Sequence, residues 1–248
     1  MTADLFYFKK FFVNHENCTL KVGTDAVLLG SWTEVQDAKK ILDIGTGAGI
    51  LALMMAQKSN ADVIVDAVEI DLSSAQMAHH NFMNSPWKKN LSVTHMDIRD
   101  FAPARLKYYD LIICNPPFFE DCLRSNDNKN NLAKHNTKLN YRQLIESVNK
   151  LLKNDARFVV IIPYDRMDNL YSLCIETQLV HTKNTLVVPV EGKKPNRVMM
   201  EWTKTNEFLD CKQNMLCVRD RNNVYTEDYL KLTKDFLLFS HNGKHKKY

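Results

Sequence analysis

Three of the chain's seven glycines fall within five residues, in Asp43-Ile44-Gly45-Thr46-Gly47-Ala48-Gly49. They follow a short apolar run and precede a helical pattern. Glycine there lets the backbone turn sharply and approach a ligand, while free N–H groups of the helix face a crevice. The spacing is G-x-G-x-G, not the G-x-G-x-x-G of the dinucleotide fingerprint. Asp43 lies two positions before the first glycine. A carboxylate beneath the loop repels a pyrophosphate but suits a cation, such as the ammonium of an amino-acid-bearing nucleoside. Glu69 follows Gly49 by twenty residues, with Ile70 beside it, at the end of the next apolar run. An acid there takes both hydroxyls of a ribose. Asp97 ends the third run and is placed to accept from an adenine amino group, with Ile98 packing on the ring. Asp43, Gly45, Thr46, Gly47, Gly49, Glu69, Ile70, Asp97 and Ile98 thus form an expected cofactor site, and its chemistry points to S-adenosylmethionine.

A second constellation is Asn115-Pro116-Pro117-Phe118, leaving the fourth apolar run. Two prolines donate no backbone hydrogen bonds, so strand pairing stops and carbonyls are left pointing into the crevice. An exocyclic amine conjugated to a ring is a poor nucleophile, because its lone pair is delocalised. The Asn115 side-chain oxygen and the Pro116 carbonyl can each accept one of its hydrogens, which biases the nitrogen towards a tetrahedral shape. Phe118 offers a face for a flipped base to stack on. Asn115 therefore counts on both the catalytic and the cofactor side of the crevice. No metal and no covalent enzyme intermediate are expected; catalysis is mostly positioning. Cys114, next in line, reads as a core residue.

The elements that must position these residues are legible from periodicity. Residues 41–45, 63–70, 91–96, 109–114 and 158–162 read as strands; residues 50–57, 72–84 and 137–152 read as helices, the second capped by Asp71. Alternating strands and helices argue for a parallel sheet covered on both faces. Residues 182–188 and 197–204 are joined by a connection too short for a helical crossover, so they should pair antiparallel. A short strand at 215–219 and a helix at 227–239, capped by Thr226, close the pattern. Residues 125–140 hold six asparagines and read as a long loop.

Composition narrows the class. The chain is 45% hydrophobic and 25% charged, as soluble globular proteins are. The net charge is +4, of which Lys244, Lys246 and Lys247 supply +3, so no strongly basic histone-like binder is expected. Six cysteines contain no C-x-x-C pair, which disfavours structural zinc and a disulfide framework. No apolar run approaches the roughly 18 residues of a membrane helix, and residues 1–10 lack the order of a secretory signal. A cytoplasmic protein without membrane association is expected.

The whole order DIGTGAG, VEID, MDIRD, CNPPF resembles the class I S-adenosylmethionine-dependent methyltransferases that act on planar amino groups. The stretches Phe11-Phe12-Val13 and Lys21-Val22-Gly23-Thr24-Asp25-Ala26-Val27-Leu28-Leu29-Gly30-Ser31-Trp32 narrow the resemblance, as do Ser85-Pro86-Trp87 and Tyr225-Thr226-Glu227-Asp228-Tyr229-Leu230. Together they resemble the bacterial tRNA(Val) adenine-N6-methyltransferase family, which modifies the adenine 3′ of the anticodon. Phe118 stands where many relatives carry tyrosine, which keeps stacking and removes a hydroxyl. The resemblance implies an α/β, Rossmann-like fold with a seven-stranded, mostly parallel sheet, its last strand reversed, and helices on both faces. It also implies a tRNA substrate, and we expect a monomer.

One domain is expected over residues 1–248: an N-terminal segment to residue 40 over the site, a core at 41–204, and an extension at 205–248 with the basic tail. Thr24 and Asp25 either close over the cofactor in the family's manner or cap a helix through 26–32. Lys193, Lys194 and Arg197 are expected to reach RNA phosphates from the carboxyl edge of the sheet. A dehydrogenase would need the other glycine spacing, and an RNA-binding module without catalysis would need interleaved aromatic and basic residues. The residues alone leave other amine targets open: release-factor glutamine, guanine N2 in ribosomal RNA, or DNA adenine.

Overall fold

A computed structural model describes residues 5–16, 22–116, 139–207 and 209–238. Pro117 and Phe118, most of the asparagine-rich stretch, Lys21 and the lysine tail lie outside them. The strands are β1 (Leu5–Tyr7), β2 (Phe12–Asn14), β3 (Lys40–Ile44), β4 (Ile64–Glu69), β5 (Leu91–His95) and β6 (Tyr109–Cys114). They continue with β7 (Leu152–Pro163), β8 (Val180–Val188), β9 (Arg197–Thr203) and β10 (Lys212–Cys217). The helices are α1 (Thr24–Trp32), α2 (Ile50–Lys58), α3 (Leu72–Met83), α4 (Ile98–Phe101), α5 (Tyr141–Leu151), α6 (Met167–Glu176) and α7 (Glu227–Thr233).

The sheet runs β10-β8-β9-β7-β6-β3-β4-β5, and β1 and β2 form a separate hairpin. Successive residues of the central strands feed opposite faces. Ile41, Leu111, Ile113, Val159 and Ile161 pack in one core with α1 and α2. Leu42, Ile44, Ile112, Phe158, Val160 and Ile162 pack in the other with α5 and α6. Burial on both faces is why these strands read as unbroken apolar runs.

The expected antiparallel pair is present: β8 and β9 are antiparallel, and β9 is also antiparallel to β7. One expectation needs correction: the sheet has eight strands, because β10 follows the reversed strand β9 in the chain and adds to β8 in parallel. Strand β10 overlaps the short strand expected at 215–219 but begins earlier, at Lys212, because the residues before Leu216 are all exposed and carry no apolar alternation. The crossover between β7 and β8 is α6, which sequence reading left unassigned although Leu170, Leu173 and Cys174 form a buried stripe. Helix α5 begins at a capping box of Asn140 and Gln143, later than residue 137. Strand β7 starts directly after it and is longer than the 158–162 expected. Helix α7 ends at Thr233, short of residue 239, and Thr226 caps it by accepting from the Tyr229 N–H. No helix among the described residues is long and apolar enough to cross a membrane.

Candidate active site

Register sets the site out in a row. Ile44 lies level with Val68 on β4 and with Cys114 on β6. Gly45, Glu69 and Asn115 therefore emerge together at the carboxyl ends of three adjacent strands. Glu69 is level with His95 on β5, and Asp97 follows just beyond. The chain passes from β3 to β4 on one side and returns to β6 on the other, and ligands bind at such a reversal in open α/β sheets.

The glycine turn is built for close approach. Gly45, Gly47 and Gly49 have φ of +67°, +55° and +87°, a region that costs an L side chain about 1–2 kcal/mol. A Cβ at Gly49 would meet the Phe82 ring at 2.5 Å, whereas one at Gly45 or Gly47 would meet nothing within 4 Å among the described residues. The third glycine thus serves helix packing, and the first two border open space. Asp43 is wholly buried beneath the loop; it accepts from the Thr46 hydroxyl at 2.5 Å and from the Ala52 N–H at 3.1 Å. Burial pushes its carboxyl up to about 7. Its Oδ1 is buried and has no hydrogen-bond partner among the described residues. An orphaned carboxylate oxygen beneath a turn with open space at two glycines fits a ligand that brings a donor such as an ammonium.

Glu69 holds the two sides of the crevice together. Its Oε2 accepts from the Gly47 N–H at 2.8 Å and its Oε1 from the Asp71 N–H at 2.9 Å. Each carboxylate oxygen keeps a second lone pair for a hydroxyl. Asp71 caps α3 through the Ser74 N–H, as expected. The Ser73 hydroxyl, with that N–H, keeps the Asp71 carboxyl below the usual range. Asp97 caps α4 and is gripped by Arg99, Nε to Oδ1 at 3.0 Å and Nη2 to Oδ2 at 2.6 Å. Hydrogen bonds from that guanidinium hold the Asp97 carboxyl low. Sequence reading passed over Arg99, although it stands two residues from Asp97. Ile98 is only 5% exposed and packs in the core with Ile44 and Val68. Exposed apolar side chains at this end include Ile70, at 57%, and Met96, at 40%.

Asn115 is half-buried and Pro116 buried at the end of β6. Cys114 is a core residue, its thiol pushed up by burial and by the nearby Asp43 and Glu69 carboxylates. Helix α1 begins at Thr24 with Gly23 at the cap and no side-chain cap bond. The capping account of Thr24 and Asp25 is therefore set aside. Asp25 instead accepts from Arg197 Nε at 2.8 Å. This puts exposed Thr24 on the β9 side of the carboxyl edge, and Arg197 is a paired cation. Lys193 and Lys194 are exposed in the β8–β9 connection.

One site residue went unread. Asn81, buried on α3, donates to the Asn14 and Ala48 carbonyls at 2.8 Å each and accepts from the Asn14 N–H. It pins the β1–β2 hairpin to the glycine turn. Its signal is an asparagine on the buried face of α3, between Ala78 and Phe82.

A parallel sheet that reverses at a glycine turn, with an acid ending the next strand and Asn-Pro on the neighbouring one, defines a Rossmann-like methyltransferase. Residues 18–162 match the methyltransferase small domain. The chain is 40% identical over 240 residues to the tRNA1(Val) (adenine(37)-N6)-methyltransferase of Bacteroides fragilis, covering 96% of this chain and 99% of that one. The chain belongs to this family of methyltransferases. Among solved structures, a predicted O-methyltransferase from Agrobacterium tumefaciens shares the fold, with a TM-score of 0.68, 16% identity, and coverage of 86% of this chain and 96% of that one. So does an O-methyltransferase from Bacillus cereus in complex with SAH, with a TM-score of 0.53, 16% identity, and coverage of 72% and 80%.

Proposed function

We propose that the chain methylates the N6 amine of adenine 37 in tRNA(Val), with S-adenosylmethionine as methyl donor. The observation that carries this reading is Asn115-Pro116 at the end of β6, directly beside the glycine turn after β3. The name of the Bacteroides fragilis relative supplies the target.

When bound, the cofactor supplies a methyl group on a sulfonium, an electrophile that needs only an aligned nucleophile. The chain's own work is to bind and orient. Gly45 and Gly47 leave room for close approach, and buried Asp43 offers its free oxygen to an ammonium. Glu69 takes the ribose hydroxyls while holding the Gly47 N–H. Asp97, with Arg99 fixing its plane, marks the adenine end, flanked by Ile70 and Met96. Asn115 Oδ1 and the Pro116 carbonyl accept the two hydrogens of the target amine, and the amine's surplus proton leaves through these acceptors to water. Lys193 and Lys194 draw in phosphates, while the roles read for Pro117 and Phe118 fall outside the described residues. The chain works as one domain, a monomer in the cytoplasm.

The test is nucleoside mass spectrometry of tRNA from cells with and without the protein, together with methyl transfer to purified tRNA(Val). N6-methyladenosine that depends on the protein is the expected result. Its absence, or label appearing in guanine or in protein, overturns the reading.

A further inference from the structure

Tyr164 directly follows Pro163, the last residue of β7, and β7 is the neighbour of the strand that carries Asn115. Because Cys114 lies level with Val160, Asn115 falls beside Ile161, and Tyr164 stands three residues further out. At strand rise this is about 10 Å beyond the amine-binding turn. The Tyr164 N–H donates to the Asn196 carbonyl at 3.1 Å, tying this position to the connection that carries Lys193 and Lys194. Pro163 is level with Arg197, which is anchored in turn by Asp25. The backbone is thus clamped on both sides, while the side chain is 39% exposed. No ring among the described residues packs on Tyr164. By contrast, Tyr225 and Tyr229 stack on each other, and Tyr171 meets Trp202 in a T-shaped contact.

We infer that Tyr164 is a stacking platform for the RNA nucleotide next to the target base, held beside lysines that take the flanking phosphates. A rigidly mounted aromatic face with cations alongside is how single-stranded nucleotides are held without reading their sequence. It suits an enzyme that must keep the neighbour of a base it has drawn out of its stack. This assignment rests on the proposed RNA substrate and deepens it: Asn115 engages the reacting amine, and Tyr164 fixes the strand beside it.

The experiment compares the full chain with its Tyr164→Phe and Tyr164→Ala variants on an anticodon stem-loop. One version of the stem-loop carries 2-aminopurine beside the target adenine. For Tyr164→Ala the KM for RNA should rise by about 5- to 150-fold, the range for loss of one base–aromatic stack. The 2-aminopurine quench on binding should disappear, while affinity for SAH stays the same. Tyr164→Phe should keep both KM and quench. If the unaltered protein methylates the stem-loop and Tyr164→Ala matches it in KM and quench, the platform is refuted and the substrate reading stands. If the unaltered protein does not methylate RNA, both fall together.

Discussion

Asp25 and Arg197 lie 172 positions apart and meet at 2.8 Å, joining the first turn of α1 to the first residue of β9. Both side chains are mostly buried, at 23% exposure each. The pair locks the N-terminal helix onto the carboxyl edge of the sheet and removes Arg197 from the pool of cations open to RNA. A double-mutant cycle with Asp25→Ala and Arg197→Ala should return a coupling of about 1 kcal/mol in denaturant unfolding, at the upper end for ion pairs with solvent access. Additive effects would mean that the contact is incidental.

With Arg197 paired, the proposed phosphate contact is assigned to Lys193 and Lys194. Replacing both by alanine should flatten the log–log salt dependence of tRNA binding by about 1.4–1.8. Adding Arg197→Ala should change the slope little further. A full extra unit from Arg197 would show that its pair with Asp25 opens on RNA binding.

The glycine turn separates packing from ligand approach. Gly49→Ala forces a Cβ into the Phe82 ring at a φ of +87°, and it should cost more than about 2 kcal/mol of stability. Gly47→Ala has open space around its Cβ, so it should cost only about 1–2 kcal/mol of backbone strain. It should weaken binding of SAH instead. Melting temperatures paired with calorimetric titration distinguish the two, and equal thermal losses would contradict this division.

Glu69→Ala removes the proposed acceptor for ribose hydroxyls and frees the Gly47 and Asp71 amides. Affinity for SAH should fall by about 1.5–3 kcal/mol. Asn115→Ala should leave that affinity nearly intact and cut kcat instead, because the proposed role of its oxygen is to accept from the incoming amine. Titration and single-turnover methyl transfer on the two variants give opposite signatures. A shared signature would undo the assignment of roles.

Asp43 carries a pH dependence. Its carboxyl titrates at about 7 in the fold and near 4 in the unfolded chain, so the folded state binds more protons between these values. The stability it contributes is complete below pH 4 and is lost as pH rises to about 7, by at most about 4 kcal/mol. Asp43→Asn should lack that part of the slope in denaturant titrations at pH 5 and pH 8. Binding of an ammonium favours the ionised form, so SAH should release protons at pH 7. The observed calorimetric enthalpy should then depend on the buffer, and an equal dependence in Asp43→Asn would exclude this carboxyl as the source.

What the sequence determined alone is local. The apolar runs, the glycine turn, the caps at Asp71 and Thr226 and the proline stop after Asn115 each depend on residues within a few positions of one another. Backbone hydrogen bonding, side-chain periodicity and φ preference act over that range. The order of Asp43, Glu69, Asp97 and Asn115 along the chain carries over to the sheet edge because parallel strands joined by right-handed crossovers bring their carboxyl ends together. Tertiary structure alone decided the rest. Strand register made Glu69 the acceptor of the Gly47 amide. Packing of α3 brought Asn81 between the N-terminal hairpin and Ala48. The return of β9 set Arg197 against Asp25 and Tyr164 beside the lysine-bearing connection, and β10 found its partner only once β8 offered a free edge. Each of these contacts joins residues remote in the chain, so its energy depends on a register that no local window of sequence contains.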